Sequence, residues 1–275
     1  SGETGRRAGR LGVPAVSPML PDSAGAVLLD NDAIGRMAAS HLLDQGFRNL
    51  AFFGERNAPW SAERDAGFRA QWKLMLGGRR GVTFLRLALL QEDTPGWRPA
   101  LARVAAWLRA LPKPVGIMAC YDIRGLQILD ACRSAGLAVP GDVAVIGVDN
   151  DALLCDLASP PMSSVIPNTH RTGYEAAALL DRMMAGKKVR PVAHLIAPLG
   201  IAARQSTDVL AVDDRAVARA VQFIRENACG GINVADVLGA VPMSRRVLEQ
   251  RFQRLLGRTP REEILQVRLA RVRQL

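Results

Sequence analysis

In residues 13–203, short apolar runs alternate with helix-forming stretches. This alternation limits the possible folds of the chain more than any other feature of its sequence. Runs such as Leu50–Phe53 and Val143–Val148 are apolar at every position, so each strand would be buried on both faces. Between them, the stretch near 32–45 places one mostly apolar helical face at Ile34, Met37, Ala38, His41 and Leu42. Buried strands separated by helices predict a parallel sheet that is covered on both sides.

The same pattern extends over most of the chain and then stops. The strand-like runs are Val13–Val16, Ala26–Leu29, Leu50–Phe53, Val82–Leu87, Gly116–Cys120, Val143–Val148, Ser164–Ile166 and Val192–Ala197. The predicted helices near 123–135 and 171–185 end at glycines, which favour helix C-termini. After a polar stretch near 205–213 no further strand is predicted. We therefore expect an α/β domain in residues 1–207 and a small all-α domain in residues 208–275.

Composition excludes several classes of protein. No apolar run approaches the length of a transmembrane helix, and residues 1–5 lack the apolar core of a secretory signal. The four cysteines form no C-x-x-C pair and the three histidines are widely separated, so neither a disulfide framework nor a metal centre is supported. We expect a cytoplasmic protein with no membrane partner, no metal and no cofactor. The formal net charge of +10 favours an anionic partner.

Two short helices with a tight turn are predicted in the second domain. Asn233 can cap the first helix, Pro242 breaks it, and Ser244 can cap the second. The second helix has one apolar side, Leu248, Phe252, Leu255 and Leu256, and polar side chains elsewhere, Arg245, Arg246, Glu249, Gln250 and Gln253. Such a helix-turn-helix could present those side chains to base edges in a major groove. Residues 244–275 hold nine Arg and three Glu, a net charge of +6, but a solvated face of a helical bundle remains the alternative.

The order of residues in this segment is more specific. Ser244, Leu248, Phe252, Gly257, Pro260 and Arg268, with Ile264 and Leu265, resemble the first helix-turn-helix of the AraC family of transcription regulators over about residues 219–275. By position the resemblance implies Arg246, Glu249 and Gln250 as base readers. The chain departs from the family at Pro242, Glu263 and Val272. Because the family carries two such units, we expect that the chain is a fragment.

The α/β segment resembles the effector domain of the LacI/GalR sugar-responsive repressors over about residues 10–208. The matching runs are Asp32–Leu42, Leu50–Gly54, Ala62–Gly67, Asp122–Gly136, Val139–Asp142, Val145–Asn150, Pro160–Pro167 and Arg204–Thr207. The resemblance implies a periplasmic-binding-protein-like fold of parallel sheets with flanking helices, and a sugar site between two subdomains. It also implies that most of the N-terminal subdomain is missing.

Candidate sugar-binding residues follow from this resemblance and from the chemistry of sugars. Hydroxyl groups are held by carboxylates, amides and guanidinium groups, while an aromatic ring covers the C–H face. Arg64 matches the family's sugar-clamping arginine and Trp97 an aromatic that packs on sugar. Asp122 and Asp149 follow apolar strands, where open α/β sheets place ligands. Weaker candidates in the same loops are Trp60 and Tyr121, the latter at a position that is often Asn.

Each of the four principal candidates also has a purely structural interpretation. Asp122 precedes a helix and could be its N-cap. Asp149 could be a turn residue that bonds its own backbone. Trp97 could belong to the core, and Arg64 could pair with an adjacent acidic residue on the surface.

The pairing of the two resemblances narrows the function. A LacI/GalR-like effector domain followed by an AraC-type reader resembles the xylose operon regulators, a group of transcription activators that sense D-xylose. The implied partners are duplex DNA at a promoter or operator, a sugar, a second copy of the chain and RNA polymerase. Two alternatives are a sugar-binding transport protein and a carbohydrate-active enzyme that uses Asp122 and Asp149 as a carboxylate pair. Because the chain lacks common catalytic motifs, we predict no catalytic residues.

Overall fold

The computed structural model describes residues 10–11, 13–16, 26–77, 81–89, 97–187, 189, 193–208, 214–256 and 258–272. The chain divides into two compact units, which we treat separately. The first unit comprises Ser1–Leu42 and Arg48–Thr207, and the second comprises Leu43–Phe47 and Asp208–Leu275.

The secondary structure alternates in the first unit and is helical after Thr207. The strands are β1 (Val27–Leu29), β2 (Asn49–Glu55), β3 (Phe84–Leu89), β4 (Val115–Ala119), β5 (Val143–Val148), β6 (Ser163–Ile166), β7 (His194–Ile196) and β8 (Gly200–Ala202). The helices are α1 (Asn31–Asp44), α2 (Pro59–Leu76), α3 (Trp97–Ala110), α4 (Asp122–Ala135), α5 (Ala152–Leu157), α6 (Thr169–Met184), α7 (Arg215–Asn227), α8 (Val234–Ala240), α9 (Arg245–Leu256) and α10 (Pro260–Val272). Short 3₁₀ turns occupy Gln205–Thr207 and Ala228–Gly230.

A six-stranded sheet in the order β3-β2-β4-β5-β6-β8 forms the centre of the first unit. Its first five strands are parallel and β8 is antiparallel to β6. Strands β4 and β5 are buried along their whole length, as expected where helices cover both faces of a sheet. A separate parallel pair joins β1 to β7. The predicted parallel α/β architecture is therefore confirmed.

The structure corrects the prediction at several strand positions. Residues 13–16 form no strand, and among the described residues nothing pairs with that run, so its apolar character alone does not make a ladder. Strand β3 begins two residues later than the predicted run and extends to Leu89, while β8 was not predicted. The predicted run Val192–Ala197 contains β7, but Val192 lies outside the described residues.

Two glycines bring α1 and α2 into backbone contact. A Cβ atom added to Gly35 would lie 2.2 Å from the carbonyl oxygen of Arg64, and one added to Gly67 would lie 2.2 Å from the carbonyl oxygen of Asp32. No other residue type fits at either position without moving a helix. This close crossing fixes the first turns of α2 against the start of α1, where the candidate site lies.

The second unit has its own apolar core of side chains from α7 to α10. It includes Val217, Ile224, Val237, Leu248, Phe252 and Ile264. Asn233 and Asp236 form a reciprocal capping box at the start of α8, as Asn233 was predicted to cap this helix. Gly257, quoted above for the AraC resemblance, lies outside the described residues. Within the described part of the chain, no helix is both long and apolar enough to cross a membrane.

Candidate functional site

Arg64 lies at the centre of the candidate site, on the second turn of α2. Its side chain is buried, with 5% of the residue exposed. Its Nε donates to Oδ1 of Asn31 at 2.9 Å, and a terminal N–H donates to the carbonyl oxygen of Cys120. Burial lowers the pKa of Arg64, and the Asp149 carboxylate is the first charge that opposes this shift. The alternative of a surface ion pair is therefore wrong.

An aromatic ring packs on the guanidinium group, and a second ring packs on the first. The Arg64 guanidinium carbon lies 5.0 Å from the centroid of the Trp60 ring, which is within cation–π range. The Trp60 and Tyr121 rings meet edge to face at 5.8 Å. Burial raises the pKa of the Tyr121 phenol. The three side chains combine an apolar surface with a fixed hydrogen-bond donor.

Asp149 follows β5 at the carboxyl edge of the sheet. Its φ of 109° is rare for a residue other than glycine, and its backbone N–H donates to the carbonyl oxygen of Val165 at 3.1 Å. The residue is exposed to solvent, yet the surrounding protein removes enough water to raise the pKa of Asp149 to about 6, with Arg64 acting against this increase. The backbone geometry agrees with the interpretation of Asp149 as a turn residue. Because its carboxylate is exposed, it can also contact a ligand.

Asp122 has a different environment. It is the first residue of α4, and only 2% of it is exposed. Its Oδ2 accepts from the backbone N–H of Asp151 at 2.8 Å, and its Oδ1 accepts from the Ser164 hydroxyl at 2.7 Å. Burial raises the pKa of Asp122, and these hydrogen bonds oppose the increase. The side chain thus holds the loop of residues 149–151 rather than capping its own helix.

Trp97 is the first residue of α3, but its side chain lies outside the described residues. Arg64, Trp60 and Tyr121 together are called the Arg64 cluster. A cavity of about 670 Å³ is lined by other α2 residues, which include Ser61 and Asp65. Arg64 and its aromatic neighbours do not line this cavity. Strand β3 lies on the other side of the cavity and leads into residues 90–96, which are not described. We assign the candidate site to the Arg64 cluster, because charge and aromatic surface converge there.

The outer face of α9 carries the side chains predicted to read DNA. Leu248 and Phe252 are fully buried in the core of the second unit, which confirms the predicted two-sided helix. Exposed side chains on the other side are Ser244, Arg245, Arg246, Gln250 and Gln253. Glu249 is partly buried and pairs with Arg245 at 2.9 Å. We call Ser244, Arg246, Gln250 and Gln253 the α9 outer face.

Comparisons with known proteins identify the first unit. A family model described as a periplasmic binding protein-like domain matches residues 39–207. The chain belongs to this family. Among curated proteins, this periplasmic binding protein-like chain is 33% identical over 252 residues to the xylose operon regulatory protein of Haemophilus influenzae, and 35% identical over 255 residues to that of Escherichia coli K12.

Both alignments cover 90% of the chain but only 64% and 63% of the two relatives, so the chain spans slightly less than two thirds of their length. A solved structure described as the xylose-binding transcription activator XylR matches 100% of the chain and 74% of its own. That match has 32% sequence identity and a TM-score of 0.70. The resemblance to the xylose operon regulators and the periplasmic-binding-protein-like fold of the first unit are therefore confirmed.

Three residues near the site were not predicted from the sequence of this periplasmic binding protein-like chain. Asn31 accepts from Arg64 and donates to Glu63 at 2.9 Å, and Arg204 donates to Asn150 at 2.9 Å. Asn31 could have been found, because it lies two residues after an apolar run, as Asp122 does. The Arg204–Asn150 contact joins residues 54 positions apart, and no local pattern in the sequence indicates it.

Proposed function

We propose that the chain is part of a sugar-responsive, DNA-binding transcription regulator that senses D-xylose. The observation that carries this proposal is the buried Arg64, held between Asn31 and Trp60 and within electrostatic range of the exposed carboxylate of Asp149. In this proposal residues 1–207 are the effector domain and residues 208–275 the DNA-binding domain.

The arrangement suits a small polyol. The Asp149 carboxylate can accept hydrogen bonds from two neighbouring hydroxyl groups, while Arg64 donates to hydroxyl or ring oxygens. The Trp60 and Tyr121 rings provide apolar surface for the C–H face of the sugar. Trp97 joins the set by its family position alone. D-xylose is proposed because the named relatives are xylose operon regulatory proteins and a xylose-binding activator.

Asp122 has a supporting role in this proposal. Both of its oxygens already accept hydrogen bonds from Asp151 and Ser164, so it orients the loop that presents Asp149. This makes Asp122 a positioning residue in the proposed site.

The DNA-binding part of the proposal rests on the second unit. Helices α8 and α9 act as a helix-turn-helix, and Arg246, Gln250 and Gln253 on the α9 outer face meet base edges. Ser244 contacts the phosphate backbone. Arg245 is held by Glu249, so the two are placed at the edge of the interface. The excess of arginine in residues 244–275 adds a salt-dependent attraction to DNA.

Sugar and DNA binding are coupled by a population shift in this proposal. A sugar that binds one conformation more tightly favours that conformation, and a coupling of about 1–3 kcal/mol is typical. We propose that the regulator activates transcription as a homodimer on repeated half-sites, in contact with RNA polymerase. A transcription regulator needs no catalytic residue, and the relatives named above are transcription regulators.

The first test is calorimetry of the full-length protein with D-xylose and a panel of other pentoses and hexoses. We expect D-xylose to bind, and Arg64→Met to weaken binding at least about tenfold, since a charge-assisted hydrogen bond contributes about 1.5–3 kcal/mol. Arg69→Met is the matched control, because Arg69 lies on the same helix with a half-exposed side chain, and its partner Asp65 keeps an ion pair with Arg86. Asp149→Asn tests the site without removing a buried side chain.

Several results would contradict the proposal. Equal loss of affinity in Arg64→Met and Arg69→Met would mean that the helix rather than the site was disturbed, and unchanged binding in Arg64→Met and Asp149→Asn would remove the assigned site. Chemical turnover of any sugar in the panel would favour the carbohydrate-active enzyme instead.

A further inference from the structure

The loop of residues 149–151, which we call the ligand loop, is held in an uncommon backbone conformation. Asp149 and Asn150 have φ values of 109° and 50°, both in the left-handed region. Such conformations persist only where the surroundings fix them. Here the Asp122 carboxylate accepts from the N–H of Asp151, and the Ser164 hydroxyl accepts from the N–H of Asn150 at 3.0 Å. The ligand loop is therefore tied to the sheet by these two hydrogen bonds.

Arg204 makes a further connection to this loop from a distant part of the chain. Its side chain is largely buried, with 17% exposed. One terminal nitrogen donates to Oδ1 of Asn150 at 2.9 Å and to the carbonyl oxygen of Met162 at 3.2 Å, while Nε pairs with Asp156 at 2.6 Å. The bond to Asn150 joins Arg204 directly to the residue that follows Asp149.

Residues 204–207, which we call the exit segment, are fixed by a chain of side-chain hydrogen bonds. Ser163 Oγ accepts from the backbone N–H of Arg204 at 2.8 Å, and Ser206 Oγ accepts from the backbone N–H of Ser163 at 2.8 Å. The hydroxyl groups of Ser163 and Thr207 lie 2.7 Å apart, and His41 Nε2 lies 2.8 Å from the Thr207 hydroxyl. The exit segment thus has a defined position relative to β6 and α1.

The exit segment is the last part of the first unit, since the second unit resumes at Asp208. Because Arg204 bonds Asn150 and is itself the first residue of the exit segment, a displacement of the ligand loop would reach the exit segment through this contact. From these contacts we infer that Arg204 is a positioning residue that couples the ligand loop to the exit segment through Asn150. The inference rests on the proposed function, because it assigns part of the path that connects sugar binding to DNA binding.

The test separates coupling from binding. Asn150→Gly removes the acceptor for Arg204, and glycine adopts a positive φ without strain. Asn150→Asp keeps an acceptor and serves as the conservative variant. Asp156→Asn is the control, because it weakens the exposed contact of Arg204 and leaves the bond to Asn150 in place. These changes avoid Arg204→Ala, which would leave several buried groups unpaired and could prevent folding.

The measurements use the full-length protein, D-xylose, and a DNA duplex selected from a random pool by the wild-type protein in D-xylose. Calorimetry gives the sugar affinity, and titrations with and without D-xylose give the ratio of DNA affinities. Hydrogen exchange at the amides of the exit segment gives a readout that does not depend on DNA. We expect D-xylose to slow that exchange in the wild type, Asn150→Asp and Asp156→Asn, but not in Asn150→Gly.

For Asn150→Gly we expect a D-xylose affinity within about threefold of wild type, and a DNA-affinity ratio that falls from a typical 5–150-fold to about twofold or less. A wild-type ratio or wild-type exchange in Asn150→Gly would overturn the inference. Parallel loss of D-xylose binding would also overturn it, since Asn150 would then serve the binding site alone. If wild-type protein binds no D-xylose, the proposed function fails together with the inference. If the wild-type protein binds D-xylose and its affinity for DNA does not change, the proposed function fails alone. Hydrogen exchange then decides whether the ligand loop is coupled to the exit segment.

Discussion

Replacing Gly67 with alanine tests whether the crossing of α1 and α2 sets the geometry of the candidate site. The new Cβ would lie 2.2 Å from the carbonyl oxygen of Asp32, whereas ordinary contacts begin near about 3.4 Å, so one helix must move by about 1 Å. Forcing such a shift costs about 3 kcal/mol, and alanine returns about 1 kcal/mol of helix propensity, which leaves a net loss of about 2 kcal/mol. The shift would also lengthen the 2.9 Å hydrogen bond from Arg64 to Asn31.

The assay is the urea midpoint of unfolding, followed by calorimetry with D-xylose. Gly173→Ala is the matched control, because Gly173 also lies inside a helix, α6, but an added Cβ there meets nothing within 4 Å. We expect that control to raise stability by about 1 kcal/mol, so the two identical substitutions should shift the midpoint in opposite directions. Equal shifts, or wild-type stability and sugar affinity in Gly67→Ala, would refute the reasoning.

Two further predictions concern the charged groups. Because burial raises the pKa of Asp149 to about 6, its carboxylate is protonated as the pH falls through that value. The protonated group accepts hydrogen bonds from sugar hydroxyl groups less well. D-xylose should therefore bind about tenfold more weakly at pH 5 than at pH 7.5, and Asp149→Asn should flatten this pH profile; a wild-type profile that is already flat would contradict the assignment. On the α9 outer face, Arg246→Ala should cost about 1–3 kcal/mol at a single base position in DNA-binding assays. An equal loss on all DNA sequences would make Arg246 a phosphate contact.

The sequence predicts the fold well where burial alone determines the structure. Strands β4 and β5 are apolar at every position and buried throughout, so their pattern has no competing interpretation. Strand β8 has three residues and begins at Gly200 with a φ of 154°. Its pairing at the sheet edge depends on a distant strand rather than on a local pattern, so it was missed. The run at residues 13–16 shows the converse error, since apolar residues without a partner strand form no sheet.

The residues of the candidate site also divide into those that the sequence indicates and those whose contacts depend on distant parts of the chain. Asp149 was predicted because parallel strands deliver their following residues to one edge of the sheet, whereas Arg64, on helix α2, was predicted from the family resemblance. Asp122 accepts a hydrogen bond from Ser164, 42 positions later, and Arg204 donates one to Asn150, 54 positions earlier. Such hydrogen bonds close only when the strands have assembled, so a single sequence carries no period or spacing that indicates them.

Glu263 shows how a departure from a family pattern can be resolved in three dimensions. The AraC resemblance places an aromatic residue at this position, and only 2% of Glu263 is exposed. An unpaired carboxylate at that depth would be strongly destabilising. The Arg258 guanidinium, partly buried just before α10, forms an ion pair with it. The packing of α10 thus includes a charge pair at a position where the family resemblance implies an aromatic residue.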